Sequence, residues 1–213
     1  MKEILDIFRS GHHEFENGRM DNIPQDSAFV LFENWLKEAY DNEIEANAFQ
    51  LSTISPTGSP SSRIVYLKDV VDESYVFYTN YNSDKGKAIE KNPEVCMSFF
   101  WPKTARQIHI TGRCSKLAKE QSDAYFESRP RASQIGAWAS EQSEVIGSRE
   151  ILEERIQAFE NRFPNVVPRP PHWGGYKVTP TKFEFWQGRK SRLHDRVLFE
   201  IESNEWSAYR KSP

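Results

Sequence analysis

Apolar residues recur along this chain with two periods, and the switches between them mark its elements. Ala28, Leu31, Phe32, Trp35, Leu36 and Ala39 fall at helical spacing. Pro24-Gln25-Asp26-Ser27 supplies a start signal, with Asp26 or Ser27 as the cap. A helix to about Tyr40 follows, with one face shaped for a sheet. From residue 47 the chain reads as strands. Ala48 to Ile54 ends at a turn on Pro56-Thr57-Gly58, and Ser62–Lys68 and Tyr75–Thr79 come next. A short helix is predicted over Asp84–Lys91, stopped by Pro93. Strands return at Val95–Trp101 and Gln107–Leu117. Helical segments follow at Gln121–Ser128, Ser133–Ser140 and Ser148–Phe163, the last with Ile151, Leu152, Ile156 and Phe159 on one face. After a proline-rich connector, Pro164 to Pro171, four strands are predicted: Gly175–Thr179, Lys182–Gln187, Asp195–Ile201 and Trp206–Arg210.

Many short strands with hairpin turns, and helices grouped in blocks, predict a mainly β chain with peripheral helices (α+β), an antiparallel barrel or sandwich. The order is not the strict βαβ alternation of a dinucleotide fold, and neither a Gly-x-Gly-x-x-Gly nor a Walker loop occurs. Residues 1–23 read as a mobile arm and 24–213 as one domain. Fourteen Phe, eight Tyr and six Trp among 213 residues supply a core despite a 38% apolar composition. No apolar run approaches the length of a membrane span, and the first 20 residues lack the basic and apolar regions of a secretory signal. A net charge of −3 argues against broad binding to nucleic acid or membrane surfaces. Cys96 and Cys114 sit in strand-like segments without Cys-x-x-Cys spacing, which favours buried free thiols in a reducing cytoplasm. Adjacent His12 and His13 do not suit tetrahedral chelation, and no metal site is expected.

Local basic clusters change this bland picture. Glu184 to Arg196 carries an aromatic strand into a turn, then Arg192, His194, Asp195 and Arg196 on what reads as a returning strand. Strand alternation would put Arg192 and His194 on one face, a fixed cation beside a titratable ring. Arg63 and Lys68, in the run Arg63-Ile64-Val65-Tyr66-Leu67-Lys68, would fall on opposite faces and could serve two anions; a half-exposed strand with a basic rim fits as well. Tyr78-Thr79 through Lys85-Gly86-Lys87 joins a strand end to a helix start, either a phosphate cradle or an ordinary capped helix. Gln107, and Gln142-Ser143, offer amide and hydroxyl groups suited to a heterocycle edge. Tyr125 and Arg129 share a helix face, Pro130 ends that helix and Ser133 opens the next, a second possible phosphate site. Together these sets fit a large phosphorylated heterocycle beside a small phosphorylated substrate.

Several runs carry a resemblance: Arg63 to Lys68, Phe77-Tyr78-Thr79-Asn80, Arg106-Gln107, Tyr125 to Pro130, Ser133 to Trp138, Trp173-Gly174-Gly175-Tyr176, and Phe185 to Gly188 through Arg192-Leu193-His194-Asp195-Arg196. Over residues 24–213 the chain resembles the pyridoxamine (pyridoxine) 5'-phosphate oxidase family. The resemblance implies an FMN-binding split β-barrel, a homodimer with FMN between subunits, and a cytoplasmic enzyme. It implies FMN contacts from Arg63, Ile64, Val65, Tyr66, Leu67, Lys68, Tyr78, Thr79, Lys85, Gln107, Gln142, Ser143, Trp186 and Arg196. It places the substrate phosphate at Lys68, Tyr125, Arg129 and Ser133, and Arg192 and His194 over the pyridine ring as catalytic residues. The implied reaction converts pyridoxamine 5'-phosphate and pyridoxine 5'-phosphate to pyridoxal 5'-phosphate, with O2 as acceptor, releasing H2O2 and, from the amine, NH3. A split-barrel flavin reductase, or a non-catalytic flavin or pyridoxal phosphate binding protein, would share part of these contacts. Three departures from the family pattern stand out. Its usual Ser-Arg-Lys reads Ser83-Asp84-Lys85, so that either Asp84 points away, with Lys87 compensating, or FMN is held less tightly. The arm shows Ser10-Gly11-His12-His13-Glu14-Phe15 in place of an Arg-x-x-Tyr lid. The ending Arg210-Lys211-Ser212-Pro213 replaces Arg-Leu-x-Pro, which predicts a smaller packing role for the tail.

Overall fold

The computed structural model describes residues 14, 15, 18–24, 27–203 and 205–213. Most of the expected arm, residues 1–13, 16 and 17, lies outside the described residues, as does the candidate cap Asp26. The chain clusters into two compact units. One comprises the described residues up to Asn47, with Ser98–Ile110 and Lys182–Pro213; the other comprises Ala48–Met97 and Thr111–Thr181.

The first unit is organised by helix α1 (Ala28–Asn42). Ser27 caps it, its Oγ accepting from the Val30 N–H. Leu31, Phe32, Trp35 and Ala39 form the buried stripe that the spacing predicts. The stripe meets aromatic strand residues edge-on: Phe32 against Phe99 at 5.4 Å and Trp35 against Phe185 at 5.3 Å. Each such ring removed from water stabilises the fold by about 2–3 kcal/mol. The unit's sheet is finished by β8 (Asp195–Glu202) and β9 (Glu205–Lys211), antiparallel neighbours that pair Arg196 with Lys211 and Glu202 with Glu205. The tail therefore packs more than the departure at its end predicts. Arg210 holds Asp195 at 2.8 Å and also donates to the Met20 carbonyl, while the Ser212 carbonyl accepts from Arg196 at 3.0 Å.

In the second unit, β1 (Ala48–Ile54) and β2 (Pro60–Tyr66) form a hairpin whose turn uses Gly58 at φ 87°. A second hairpin joins β3 (Asp69–Val71) to β4 (Ser74–Asn80). The sequence reading missed β3, because its turn is built from Asp72 and Glu73, both at positive φ, without a glycine to mark it. Helix α2 (Asp84–Lys91) has the predicted bounds. Strands β5 (Glu94–Trp101) and β6 (Arg106–Lys116) follow, their Ser98–Trp101 and Arg106–Ile110 parts belonging to the first unit, then helices α3 (Lys119–Ser128), α4 (Arg131–Ala139) and α5 (Arg149–Arg162). Helix α4 opens at Arg131 rather than at Ser133, which stands in its first turn. The apolar face of α5 is shallow: none of its residues is fully buried, and Ile156 and Phe159 pack half-covered on a cluster of Phe126, Ile135, Val167 and Trp173.

The last two predicted strands before the basic turn are one. β7 runs unbroken over Trp173–Gln187. Its first part pairs with β4 and its last with β8. Pro180, in the gap between the two predicted strands, falls where that edge changes partner and a ladder N–H is not required.

Candidate active site

Within the second unit a cavity of about 660 Å³ opens, within the size range of small-molecule sites. Among the described residues four cations line it, Arg63, Lys68, Lys85 and Arg129, and no carboxylate does. Strand alternation in β2 does not extend to Lys68, because the strand ends at Tyr66; both cations reach the same cavity. Ile64, Val65 and Tyr66 also line it, while Leu67 turns into the core at 6% exposure.

Helix α2 supplies one pole. Ser83 caps it, accepting from the Gly86 N–H and donating to the Asn80 carbonyl at 2.7 Å. That turn places Lys85 at 8% exposure, its Nζ donating to Ser83 Oγ at 3.3 Å and Gln142 Oε1 at 3.2 Å. Thr79 Oγ1 donates to the same Gln142 oxygen at 3.2 Å. Burial lowers the Lys85 pKa, as does the charge of Arg63, and Asp84 opposes both. Ser143, held at φ 78°, accepts from the Asp84 N–H. Asp84 is exposed and does not line the cavity, and Lys87 pairs with Glu144 at 2.9 Å rather than reaching it.

Tyr125, Arg129 and Ser133 form the other pole, from the α3 end and the start of α4. Tyr78 stacks on Tyr125 with ring centroids 3.7 Å apart, and Trp173 lies parallel to both. Arg129 lies over the Trp173 ring at 4.4 Å, a cation–π contact. Its Nη1 is buried and, among the described residues, has no hydrogen-bond partner. A buried, charged donor left unpaired is costly, and an anion in the cavity would satisfy it. Burial raises Tyr78 to about 12 and also raises Tyr125, so both phenols stay protonated as donors. The part of Trp173 in this pole was not read from the sequence, although an aromatic residue directly before two glycines is an available signal.

The remaining candidates belong to the first unit. Gln107 lies on β6 and Trp186 on β7, both half-buried. Arg196 is engaged by Glu184 at 2.6 Å. The segment carrying Arg192 and His194 is not a strand. Lys190–Arg192 is a short 3-10 turn with Ser191 and Arg192 at φ 57° and 60°, and β8 begins only at Asp195. The strand-face argument for these two residues is thus replaced by a tight turn. Arg192 is exposed, and His194 accepts at Nδ1 from the Arg189 N–H and packs against Trp186 at 4.6 Å. Phe15 meets both rings edge-on. Beneath the turn, Asp195 is buried; burial alone would raise its pKa, but bonds from Arg189 and the Met20 N–H hold it below the usual range.

Comparison with known proteins decides the family. Residues 36–163 match the family model described as pyridoxamine 5'-phosphate oxidase, and residues 173–213 match that of the pyridoxine 5'-phosphate oxidase C-terminal dimerisation region. The chain belongs to the pyridoxamine 5'-phosphate oxidase family. Relatives named pyridoxine/pyridoxamine 5'-phosphate oxidase include one from Leptospira interrogans, 50% identical over all of this chain and 98% of its own, and one from Chromobacterium violaceum, 50% identical over 93% and 95%. Among solved structures, PhzG from Burkholderia lata, in complex with tetrahydrophenazine-1-carboxylic acid, superposes with a TM-score of 0.84 at 28% identity, covering 92% of this chain and all of its own. A pyridoxamine 5'-phosphate oxidase-related, FMN binding protein from Nostoc punctiforme gives 0.71 at 16% identity, covering 89% of this chain and all of its own, a likeness of fold. The expected split β-barrel class is thereby met.

Proposed function

We propose that this protein is an FMN-dependent oxidase converting pyridoxamine 5'-phosphate and pyridoxine 5'-phosphate to pyridoxal 5'-phosphate. The observation that carries the reading is the buried Arg129 Nη1 without a partner, in a cavity lined by four cations and no carboxylate, in a chain of this family. Two anionic groups fit such a cavity, one at each pole.

FMN, when bound, would supply a two-electron acceptor for the hydride equivalent at the substrate C4' carbon, with O2 as the final acceptor and hydrogen peroxide as its product. Arg63 and Lys85 are assigned to its phosphate, with Thr79, Gln142 and Ser143 around that pole. Ile64, Val65, Tyr66, Lys68, Tyr78, Gln107, Trp186 and Arg196 are assigned to the rest of the cofactor, and Leu67, turned into the core, is left out. Lys68, Tyr125, Arg129 and Ser133 hold the substrate phosphate, so that binding energy from a non-reacting group orients C4'. Arg192 and His194 lie over the pyridine ring and stabilise charge that develops on it. The alcohol gives the aldehyde directly, whereas the amine gives an imine that water hydrolyses to the aldehyde and ammonia.

The match at residues 173–213 supports a homodimer, and FMN is assigned to its interface. Among the described residues no helix is long and apolar enough to cross a membrane. Cys96 and Cys114 form no disulfide among the described residues, which fits a reducing cytoplasm. The test is aerobic incubation of FMN-supplemented protein with pyridoxamine 5'-phosphate, following aldehyde and peroxide together. Matched amounts are expected. Bound FMN with neither product would move the assignment to a flavin reductase or a binding protein.

A further inference from the structure

We infer that Asp84 is a built-in counter-charge to the Arg63–Lys85 pole, balancing these cations while no phosphate is bound and weakening the pole's hold on the FMN phosphate. The inference rests on the FMN assignment above.

Its geometry is that of a charge placed behind a cation. A second cavity, of about 210 Å³, is lined by Arg63, Asp84 and Lys87 together with Thr53, Ser55 and Ser61. Arg63 also lines the large cavity, so its side chain is the wall shared by both. Asp84 faces only the smaller one. The guanidinium of Arg63 donates to neutral acceptors: Leu51 O at 3.0 Å, Thr53 Oγ1 at 2.8 Å and Ser61 Oγ at 2.7 Å. Both acceptors of Lys85, Ser83 Oγ and Gln142 Oε1, are neutral too. The ammonium of Lys87 is taken by Glu144.

Among the described residues that line either cavity Asp84 is the one carboxylate, and its charge acts on Arg63 and Lys85 through space. Burial lowers the pKa of both cations, and the Asp84 charge pulls each back up. Asp84 also opens α2, where a carboxylate interacts with the positive helix end that a phosphate would use. Carboxylate and phosphate thus compete for the same field.

The test uses Asp84→Asn, which keeps size and removes charge at an exposed position. Flavin-stripped full-length protein is titrated with FMN and, separately, with riboflavin, which lacks the phosphate, at low and at high salt. Thermal unfolding without flavin is recorded alongside. The variant should bind FMN roughly three- to tenfold tighter at low ionic strength, with the gain shrinking in salt. Its riboflavin affinity should not change, and its midpoint without flavin should fall. Unchanged or weaker FMN binding, or an equal gain for riboflavin, would overturn the inference while leaving the cofactor assignment intact. Wild-type protein that takes up no FMN would overturn that assignment, and this inference with it.

Discussion

The backbone N–H of Arg189 donates to Nδ1 of His194 across 3.0 Å. An N–H can meet only a lone pair, so Nδ1 is unprotonated and the neutral ring carries its hydrogen on Nε2. Burial lowers the His194 pKa, and the neighbouring charge of Arg192 lowers it further. The ring is thereby kept as a neutral donor, and protonating it requires giving up the Arg189 bond.

A pH dependence follows. The unfolded chain takes up this proton more readily than the folded one, so His194 leaves stability unchanged well above the ordinary histidine value of about 6.5. Below that value its contribution falls as pH falls towards the lowered folded pKa. Turnover should show an acid limb with an apparent pKa below about 6.5, moving upward in Arg192→Gln as the repelling charge is removed. A limb at or above the ordinary value in wild type would show that the neutral ring is not what the reaction needs.

Arg192→Leu separates chemistry from cofactor binding. The side chain is exposed and its backbone already sits at φ 60°, so exchanging one β-unbranched side chain for another adds no strain. Loss of a donor aimed at developing charge should lower kcat on the order of 100-fold. FMN affinity, measured by flavin fluorescence, should stay within about threefold, since FMN is assigned to other residues. Equal losses in both would make Arg192 a flavin-holding residue instead.

What was legible in the sequence follows from the range of the forces involved. Helix α1 and strand β1 were readable because one face of each is apolar at the right period, a local signal. Helix α2 was readable to the residue because Ser83 and Pro93 bracket it. The unbroken β7 was not, since whether Pro180 interrupts a strand depends on which neighbour lies beside it, a long-range fact. Arg192 and His194 were misplaced on a strand face because the turn's left-handed residues are Ser191 and Arg192, with no glycine there to announce them. At the site, Arg129 and Tyr125 were found through helical spacing. Trp173, nearly 50 residues further on, joins them only through the fold.

Arg129 should trade stability against function. Its Nη1 is buried without a partner, so Arg129→Met removes an unsatisfied donor while keeping a flexible apolar stem over Trp173. The melting temperature without ligand should stay level or rise. The KM for pyridoxamine 5'-phosphate should increase about 10- to 100-fold, the worth of a charge-assisted hydrogen bond to phosphate. A fall in melting temperature with KM unchanged would make Arg129 a packing residue and remove it from the phosphate site.

Two glycine-to-alanine changes in helices should have opposite signs. In a helix interior the change ordinarily stabilises by about 1 kcal/mol, because alanine leaves less conformational freedom to lose. Gly136, on α4, has open space where a Cβ would stand, so Gly136→Ala should follow that rule. Gly86, on α2, does not. Its Cβ would lie 2.0 Å from the Tyr81 carbonyl oxygen and 2.5 Å from the carbonyl carbon, both backbone atoms that cannot swing aside. Either the helix or the 80–83 turn must shift, at a cost of about 1–3 kcal/mol that outweighs the propensity gain. The shift would also pull Ser83 and Lys85 out of register with Gln142, so FMN binding should weaken at least about tenfold. Thermal unfolding of both variants, with FMN titration of Gly86→Ala, checks this. A Gly86→Ala protein as stable as wild type, with FMN affinity intact, would show that the close approach at Tyr81 is not what places Lys85.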